Sequence, residues 1–95
     1  MFEWDLAKAR ANVAKHGVSF DEAATIFIDP EALDGPDVRH SIQESRWLRI
    51  GRAVTGRVLT VAYTGRRSAD GEEVVRIISA RRASHKERSA YDAET

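Results

Sequence analysis

The sequence contains no cysteine, only two prolines, few aromatic residues and no long apolar run. Without cysteine the chain can form neither a disulfide framework nor a thiolate metal site, which is typical of proteins from a reducing compartment. No stretch reaches the roughly eighteen apolar residues that a membrane-spanning helix requires. The opening MFEWDLAKAR also lacks the pattern of a secretory signal. We therefore expect a cytoplasmic protein with no membrane partner.

The composition is that of an ordinary globular domain. Of the 95 residues, 42% are hydrophobic and 32% are charged, which separates the chain from disordered proteins. A chain of this length can bury one hydrophobic core without disulfides or a structural metal, and the sequence has no internal repeat. We therefore expect residues 1–95 to form a single domain.

The net charge of zero hides an asymmetry between the two parts of the chain. Residues 1–36 carry three basic and seven acidic residues, whereas residues 37–95 carry twelve basic and eight acidic ones. Eleven of those twelve cations are arginine, whose planar guanidinium group suits phosphate and stacks on bases. A codon bias towards arginine is the alternative explanation. The second part of the chain is thus the candidate for binding a polyanion.

Two helices are predicted in the first third of the chain. Asp5 is a suitable N-cap and Gly17 a suitable C-cap for a helix over residues 6–16. Its apolar face would carry Leu6, Ala9 and Val13, and its polar face Lys8, Asn12 and Lys15. Ser19 and Glu22 have the spacing of a capping box, which predicts the start of a second helix.

Strands are predicted on either side of a long connection. FEW at residues 2–4 can form a short edge strand, and residues 46–54 and 57–64 form a hairpin around Thr55 and Gly56. After a second turn, residues 74–80 form another strand. The connection is broken by Pro30, Gly35 and Pro36 and can hold a short extended piece at residues 31–33. We therefore predict an α+β fold: a small antiparallel sheet with two N-terminal helices packed on it and a short C-terminal helix.

The last predicted helix begins with an unusual concentration of positive charge. Ser84 and Glu87 form a capping box, yet Arg81, Arg82 and Lys86 crowd the helix start, where the dipole favours anions. Such a site suits an anion with several acceptor oxygens, and phosphate is the simplest one. The alternative is that the cluster is neutralised internally by Glu87, Asp92 and Glu94.

Further arginines and aromatic residues extend this positive region into a possible RNA track. The cations on or beside the predicted strands are Arg46, Arg49, Arg52, Arg57, Arg66, Arg67 and Arg76. Trp47, Tyr63 and Tyr91 are interleaved with them and could stack on unpaired bases. Burial of Trp47 and Tyr63 in the core of the sheet is the alternative.

A possible acid–base pair lies in the connection before the hairpin. His40 precedes Glu44 by four residues, and a histidine exchanges protons near neutral pH while a carboxylate can orient it or act as the base. A surface or capping role for His40 is the alternative. Neither zinc-like spacing nor a glycine-rich phosphate loop occurs in the sequence, so we expect no metal and no cofactor.

Four segments resemble the BrnT family of toxins from bacterial type II toxin–antitoxin modules. They are FEWDLAKARANVAKHGVSFDEAATIFIDP, DVRH, IGR and RIISARRASHKERSAY, in this order. The resemblance implies a RelE-like ribonuclease fold, metal-independent cleavage of RNA and inhibition of translation. It further implies neutralisation by a ribbon-helix-helix antitoxin (BrnA-like) in a heterotetramer built on the antitoxin dimer. DNA would then be contacted only through the antitoxin.

Carried onto this chain, the resemblance gives a set of candidate site residues. The expected catalytic residues are His40, Glu44, Arg66, Arg81 and Arg82. The expected RNA-binding residues are Arg46, Arg67, Arg76, Lys86 and Tyr91. We expect attack by the RNA 2′-hydroxyl, with arginines stabilising the phosphoryl oxygens and His40 or Glu44 moving a proton. The competing hypothesis is a non-catalytic module that occupies RNA or the ribosome.

Overall fold

In the part of the chain that the structure describes, one five-stranded sheet packs with three α-helices and one 3₁₀ helix. The computed structural model describes residues 1–39 and 45–94. The elements are β1 (Phe2–Glu3), α1 (Leu6–His16), α2 (Phe20–Ala24), a 3₁₀ helix (Thr25–Ile28), β2 (Leu33–Pro36), β3 (Trp47–Arg52), β4 (Val58–Arg67), β5 (Glu73–Arg82) and α3 (His85–Glu94). In the part of the chain so described, no helix is long and apolar enough to cross a membrane.

The sheet has the order β1-β5-β4-β3-β2 and confirms the predicted α+β class. It is mixed rather than purely antiparallel, because β1 runs parallel to β5 while the other neighbours are antiparallel. The expected extended piece at residues 31–33 lies two to three residues further on, as β2, and includes Gly35 and Pro36. Proline is tolerated there because β2 is an edge strand, where one row of backbone groups needs no partner.

The core lies between the sheet and helices α1 and α2. Its buried members are Val18, Phe20, Ala23, Ile26, Ala53, Leu59, Val61, Ile77 and Ala80. A register shift opposite Ala62 and Tyr63 interrupts the alternation of β5, so that Ala80 rather than Ser79 continues the face that buries Ile77. Helix α3 covers part of the opposite face, where the Thr60 hydroxyl donates a hydrogen bond to Glu87 at 3.0 Å.

Helix α1 has the predicted bounds but buries a different face. The Asp5 side chain accepts a hydrogen bond from the Lys8 N–H, and Gly17 ends the helix at φ 68°. Of the predicted apolar face, Ala9 packs against the core, but Leu6 and Val13 are 68% and 49% exposed. Asn12, predicted on the polar face, is 6% exposed. Leu6 and Val13 instead line an open apolar depression together with Trp4, Ala9, Arg10, Ser19, Phe20 and Asp21.

Hydrogen bonds explain the burial of Asn12. Its amide Nδ2 donates to the carbonyl oxygens of Val18 at 2.9 Å and Ala80 at 2.7 Å, and its Oδ1 accepts from the Ala80 N–H at 3.1 Å. The fully bonded amide fixes α1 against β5, since a buried polar group is stable only when its partners are supplied.

Candidate nucleic-acid interface

The capping box at the start of α3 forms as predicted and takes up one of the arginines. Glu87 Oε1 accepts from the Ser84 N–H at 2.8 Å, and the Glu87 N–H donates to Ser84 Oγ at 3.2 Å. The same carboxylate receives two hydrogen bonds from Arg81, at 2.6 and 2.9 Å. These contacts, led by the bonds from Arg81, lower the pKa of Glu87 to about 2. Glu87 thus neutralises Arg81 internally, as the alternative explanation of the cluster proposed.

Arg81 and Arg82 do not form one clamp at the helix start. Both lie at the end of β5, where successive side chains point to opposite faces of the sheet. Arg81 is half-buried and faces α3, whereas Arg82 is exposed and faces the side that carries Glu22. Among the side chains that the structure describes, no carboxylate forms an ion pair with Arg82.

Arg82 lines an open depression at the β3–β4 hairpin end of the sheet. This hairpin-end depression has a volume of ≈ 420 Å³ and is lined by Gly56, Arg57, Val58, Arg82, Ala83 and Arg88. Its three guanidinium groups come from the residue before β4, the end of β5 and α3. Arg88 makes one contact to Asp92, at 3.4 Å. The depression therefore presents cations to a visiting anion.

Arg57 is held rigidly at the rim of this depression. Its Nε donates to Glu22 Oε2 at 2.9 Å, its Nη2 also bonds to Glu22 Oε1, and Nη2 donates to the Gly17 carbonyl at 3.0 Å. The Thr55 hydroxyl binds the same carboxylate. The hydrogen bonds from Arg57 lower the pKa of Glu22. Helix α2, which carries Glu22 in its first turn, thereby fixes a cation at the end of the sheet.

A second arginine cluster lies near the other end of the sheet. Arg66 and Arg76 donate to the two carboxylate oxygens of Glu3, at 2.7 and 3.0 Å. These hydrogen bonds, the one from Arg76 first, lower the pKa of Glu3. Arg66 lies on β4 and Arg76 on β5; β4 continues to Arg67, three residues beyond the predicted strand at residues 57–64. Arg67 is exposed and donates to the Gly71 carbonyl at 3.0 Å.

The two clusters are separated along β4. On β4, Leu59 pairs with Arg82, and Arg66 lies seven residues after Leu59. At 3.3 Å per residue this spacing corresponds to about 23 Å, several nucleotides of extended RNA. The arrangement suits contacts to separate phosphates better than convergence of all predicted arginines on one.

Most of the candidate stacking residues serve packing. Tyr91 is 2% exposed, and its hydroxyl donates to Asp29 at 2.7 Å, so the prediction that it stacks on RNA bases is wrong. Burial, followed by the bond to Asp29, raises the pKa of Tyr91. Tyr63 packs edge-on against Phe27 with centroids 4.9 Å apart, in agreement with the core alternative. Trp47 remains 41% exposed.

Tyr63 belongs to a hydrogen-bonded group on β2, β3 and β4. Its hydroxyl donates to Asp34 at 2.7 Å, and Asp34 also accepts two bonds from Arg49, at 3.0 and 2.6 Å. The Arg49 guanidinium stacks 4.4 Å from the centre of the Phe27 ring. Burial and the bond to Asp34 raise the pKa of Tyr63 to about 12. This arginine is therefore engaged in the structure of the sheet.

The remaining candidates divide between the described residues and those outside them. Lys86 is exposed in the first turn of α3, and Arg46 is half-buried immediately before β3. His40 and Glu44 lie outside the described residues, as does the side chain of Glu94. Within residues 1–39 and 45–94, no group of three His, Asp or Glu side chains is arranged to hold a metal ion.

Arg88 was missed by the sequence analysis, and Arg57 was only one of many cations in the proposed track. A usable signal existed for Arg88. Arg88 follows Ser84 by four residues, so the capping box places it about one turn after the start of the helix. Arg57 precedes β4 by one residue, and only the pairing of β4 with β5 shows that it lies beside Arg82.

Comparison with known proteins identifies the family of this fold. The sequence model of the family described as "Ribonuclease toxin, BrnT, of type II toxin-antitoxin system" matches residues 4–87. The crystal structure of the Brucella abortus ribonuclease toxin BrnT superimposes with a TM-score of 0.62 at 25% identity, covering 90% of this chain and 99% of that one. No curated protein sequence matches the chain. The chain therefore belongs to the BrnT family of ribonuclease toxins of type II toxin–antitoxin systems.

Proposed function

We propose that this protein is a metal-independent endoribonuclease that cleaves RNA and thereby inhibits translation. The observation that carries the proposal is the family match over residues 4–87, which includes Arg66, Arg81 and Arg82. The arginine clusters at the two ends of the sheet support an RNA substrate, because guanidinium groups bind phosphate through paired hydrogen bonds.

In the proposed mechanism the 2′-hydroxyl of the RNA attacks the adjacent phosphorus. A bond forms between this oxygen and phosphorus, the bond from phosphorus to the 5′-oxygen breaks, and a 2′,3′-cyclic phosphate remains. Arg82 stabilises the charge that develops on the phosphoryl oxygens. His40 or Glu44 removes the proton from the 2′-hydroxyl or delivers one to the leaving oxygen.

Arg81 and Arg66 contribute to this mechanism while bound to carboxylates. The side chain of Arg81 is 43% exposed despite its pairing with Glu87, and that of Arg66 is 57% exposed despite its pairing with Glu3. Each can therefore offer a remaining N–H to a phosphate. Removal of Arg81 should lower both stability and activity, whereas removal of Arg82 should lower activity alone.

The test of the chemistry is cleavage of a defined RNA by purified protein, with and without EDTA. We expect cleavage to persist in EDTA and the products to carry a 2′,3′-cyclic phosphate or a 3′-phosphate. A 5′-phosphate end would contradict the mechanism, because it requires attack by water and departure of the 3′-oxygen.

The test of Arg82 compares Arg82→Ala with Arg10→Ala, which removes an exposed arginine from α1. Loss of one well-aimed donor should lower turnover about a hundredfold to a thousandfold. The control should cleave at the wild-type rate. Equal cleavage by both variants at equal folded fraction would refute the assignment.

Inhibition by occupancy is the second candidate function, because two clusters about 23 Å apart could hold RNA without cutting it. The number of RNA molecules processed per protein separates the two. An enzyme turns over many molecules, whereas a binding module acts stoichiometrically.

We further propose that the antitoxin partner implied by the family is a ribbon-helix-helix protein of the BrnA type. Two toxins would bind one antitoxin dimer, and only the antitoxin would contact DNA. The mass of the co-purified complex tests this stoichiometry, and a complex with any ratio other than two to two would contradict it.

A further inference from the structure

We infer that the hairpin-end depression binds a backbone phosphate of RNA through Arg57 and Arg88 together with Arg82. The inference rests on the proposed function and adds two binding residues to it. Arg82 and Arg88 lie six residues apart at the junction of β5 and α3, and the pairing of β4 with β5 brings Arg57, 25 residues before Arg82, to the same opening.

The first argument is the charge of the depression. Three guanidinium groups line it, whereas the carboxylates paired with them are Glu22, on Arg57, and Asp92, on Arg88. The pairing with Asp92 is long, at 3.4 Å, and both side chains are about half exposed. An anion can compete for Arg88, because exposed ion pairs of this kind are weak. Arg82 adds a cation with no ion pair among the described side chains.

The second argument is that the position of Arg57 is fixed before any ligand arrives. Hydrogen bonds to Glu22 and to the Gly17 carbonyl hold the Arg57 guanidinium in place. A preordered donor loses little entropy on binding, which makes it more effective than a mobile surface arginine. Helix α3 contributes as well, because Ala83 lines the depression next to the helix start, the positive end of the α3 dipole.

The third argument is the extent of the positive surface. Arg52 lies at the same end of the sheet, where its Nη1 donates to the Gly56 carbonyl at 2.8 Å. A volume of ≈ 420 Å³ is many times what one water requires, and the opening faces solvent. An open, extended array of arginines fits a polyanion such as an RNA backbone better than a single small ion.

The experiment measures binding of a 2′-O-methyl oligoribonucleotide, which this chemistry cannot cleave, by fluorescence anisotropy at several salt concentrations. Arg88→Gln removes a cation with little structural role, and Glu22→Gln/Arg57→Gln removes a paired cation without leaving a lone carboxylate. Arg10→Gln on α1 is the matched control.

For Arg88→Gln, we expect the slope of log affinity against log salt to fall in magnitude by about 0.7, the value for one phosphate contact on a single strand. The deficit relative to wild type then grows about fivefold for each tenfold dilution of salt. The double variant should show a similar loss, and Arg10→Gln none. If Arg88→Gln bound less RNA only because less of it was folded, as measured by circular dichroism, its salt slope would equal that of wild type. That result would overturn the inference.

Further outcomes separate this inference from the proposed function. If Arg88→Gln binds RNA like Arg10→Gln while wild type cleaves RNA, the inference fails and the nuclease function stands. If the slope falls but no RNA is cleaved, the phosphate site stands and the nuclease function fails. A variant that loses affinity for the antitoxin but not for RNA would identify a protein-docking surface and overturn the inference.

Discussion

Replacing Glu87 by glutamine is expected to destabilise the protein in a strongly pH-dependent way. Glu87 joins three parts of the fold, because it binds Arg81 on β5, Thr60 on β4 and the N–H of Ser84 at the start of α3. These bonds hold its pKa at about 2 instead of the usual 4.5. The variant retains the shape of the side chain but loses the charge that the bonds favour.

The expected loss follows from the shift in pKa. Each pKa unit corresponds to about 1.36 kcal/mol, so the full shift would give about 3.4 kcal/mol. The Arg81 side chain is 43% exposed, and solvent weakens the pair, so we expect about 2 kcal/mol at neutral pH. For a domain of this size, that loss lowers Tm by about 8–16 °C.

The sign of the pH dependence is fixed by the lowered pKa. The stabilisation is complete well above pH 4.5 and is lost as the pH falls through about 2, where the folded protein also protonates Glu87. Wild type and Glu87→Gln should therefore converge in free energy of unfolding over this range. Urea denaturation followed by tryptophan fluorescence measures both values. A constant difference across this range, or none at neutral pH beyond that of the exposed control Glu31→Gln, would refute the reasoning.

Three other substitutions test the packing. Asn12→Ala removes a buried amide and leaves its backbone partners unsatisfied, so urea unfolding should show a loss of about 3 kcal/mol, and a loss under 1 kcal/mol would contradict the role of this amide. Gly51→Ala should cost about 1–3 kcal/mol, since a Cβ there would lie 3.1 Å from that of Ile26, whereas Gly35→Ala, with open space, should be near neutral; equal effects would argue against the close packing. Tyr63→Phe should lose about 1 kcal/mol at neutral pH with the bond to Asp34. The interactions that raise the pKa of Tyr63 stabilise the fold fully below pH 10, and this contribution is lost as the pH rises through about 12. The free energies of unfolding of wild type and variant should therefore converge there, and a difference that persists would contradict the assignment.

Local signals in the sequence predicted the helix starts and the hairpins well. The caps at Asp5 and Ser19 and the box of Ser84 with Glu87 each depend on residues within one turn, so spacing alone reveals them. The face of α1 could not be predicted in this way. The burial of Asn12 depends on backbone groups of Ala80, 68 residues away, which no helical periodicity reports.

The candidate site was predicted in composition but not in geometry. Arginine enrichment correctly marked the second part of the chain as basic, but the end of β5 was taken for a helix start. Because β5 continues to Arg82, strand alternation separates Arg81 from its neighbour. The partners of Arg66 and Arg76 were also missed, since Glu3 lies 73 residues before Arg76 and meets it only through the parallel pairing of β1 with β5.

That parallel pairing has a consequence for synthesis of the protein on the ribosome. Phe2 and Glu3 pair with Val75 and Arg76, so the first strand has no partner until these two later residues have been translated. Strand β5 is made after helices α1 and α2, on which it packs, and before α3, which carries the partner of Arg81. A nascent chain or a product of premature termination that ends before residue 73 therefore lacks β5 and leaves both β1 and β4 without this neighbouring strand.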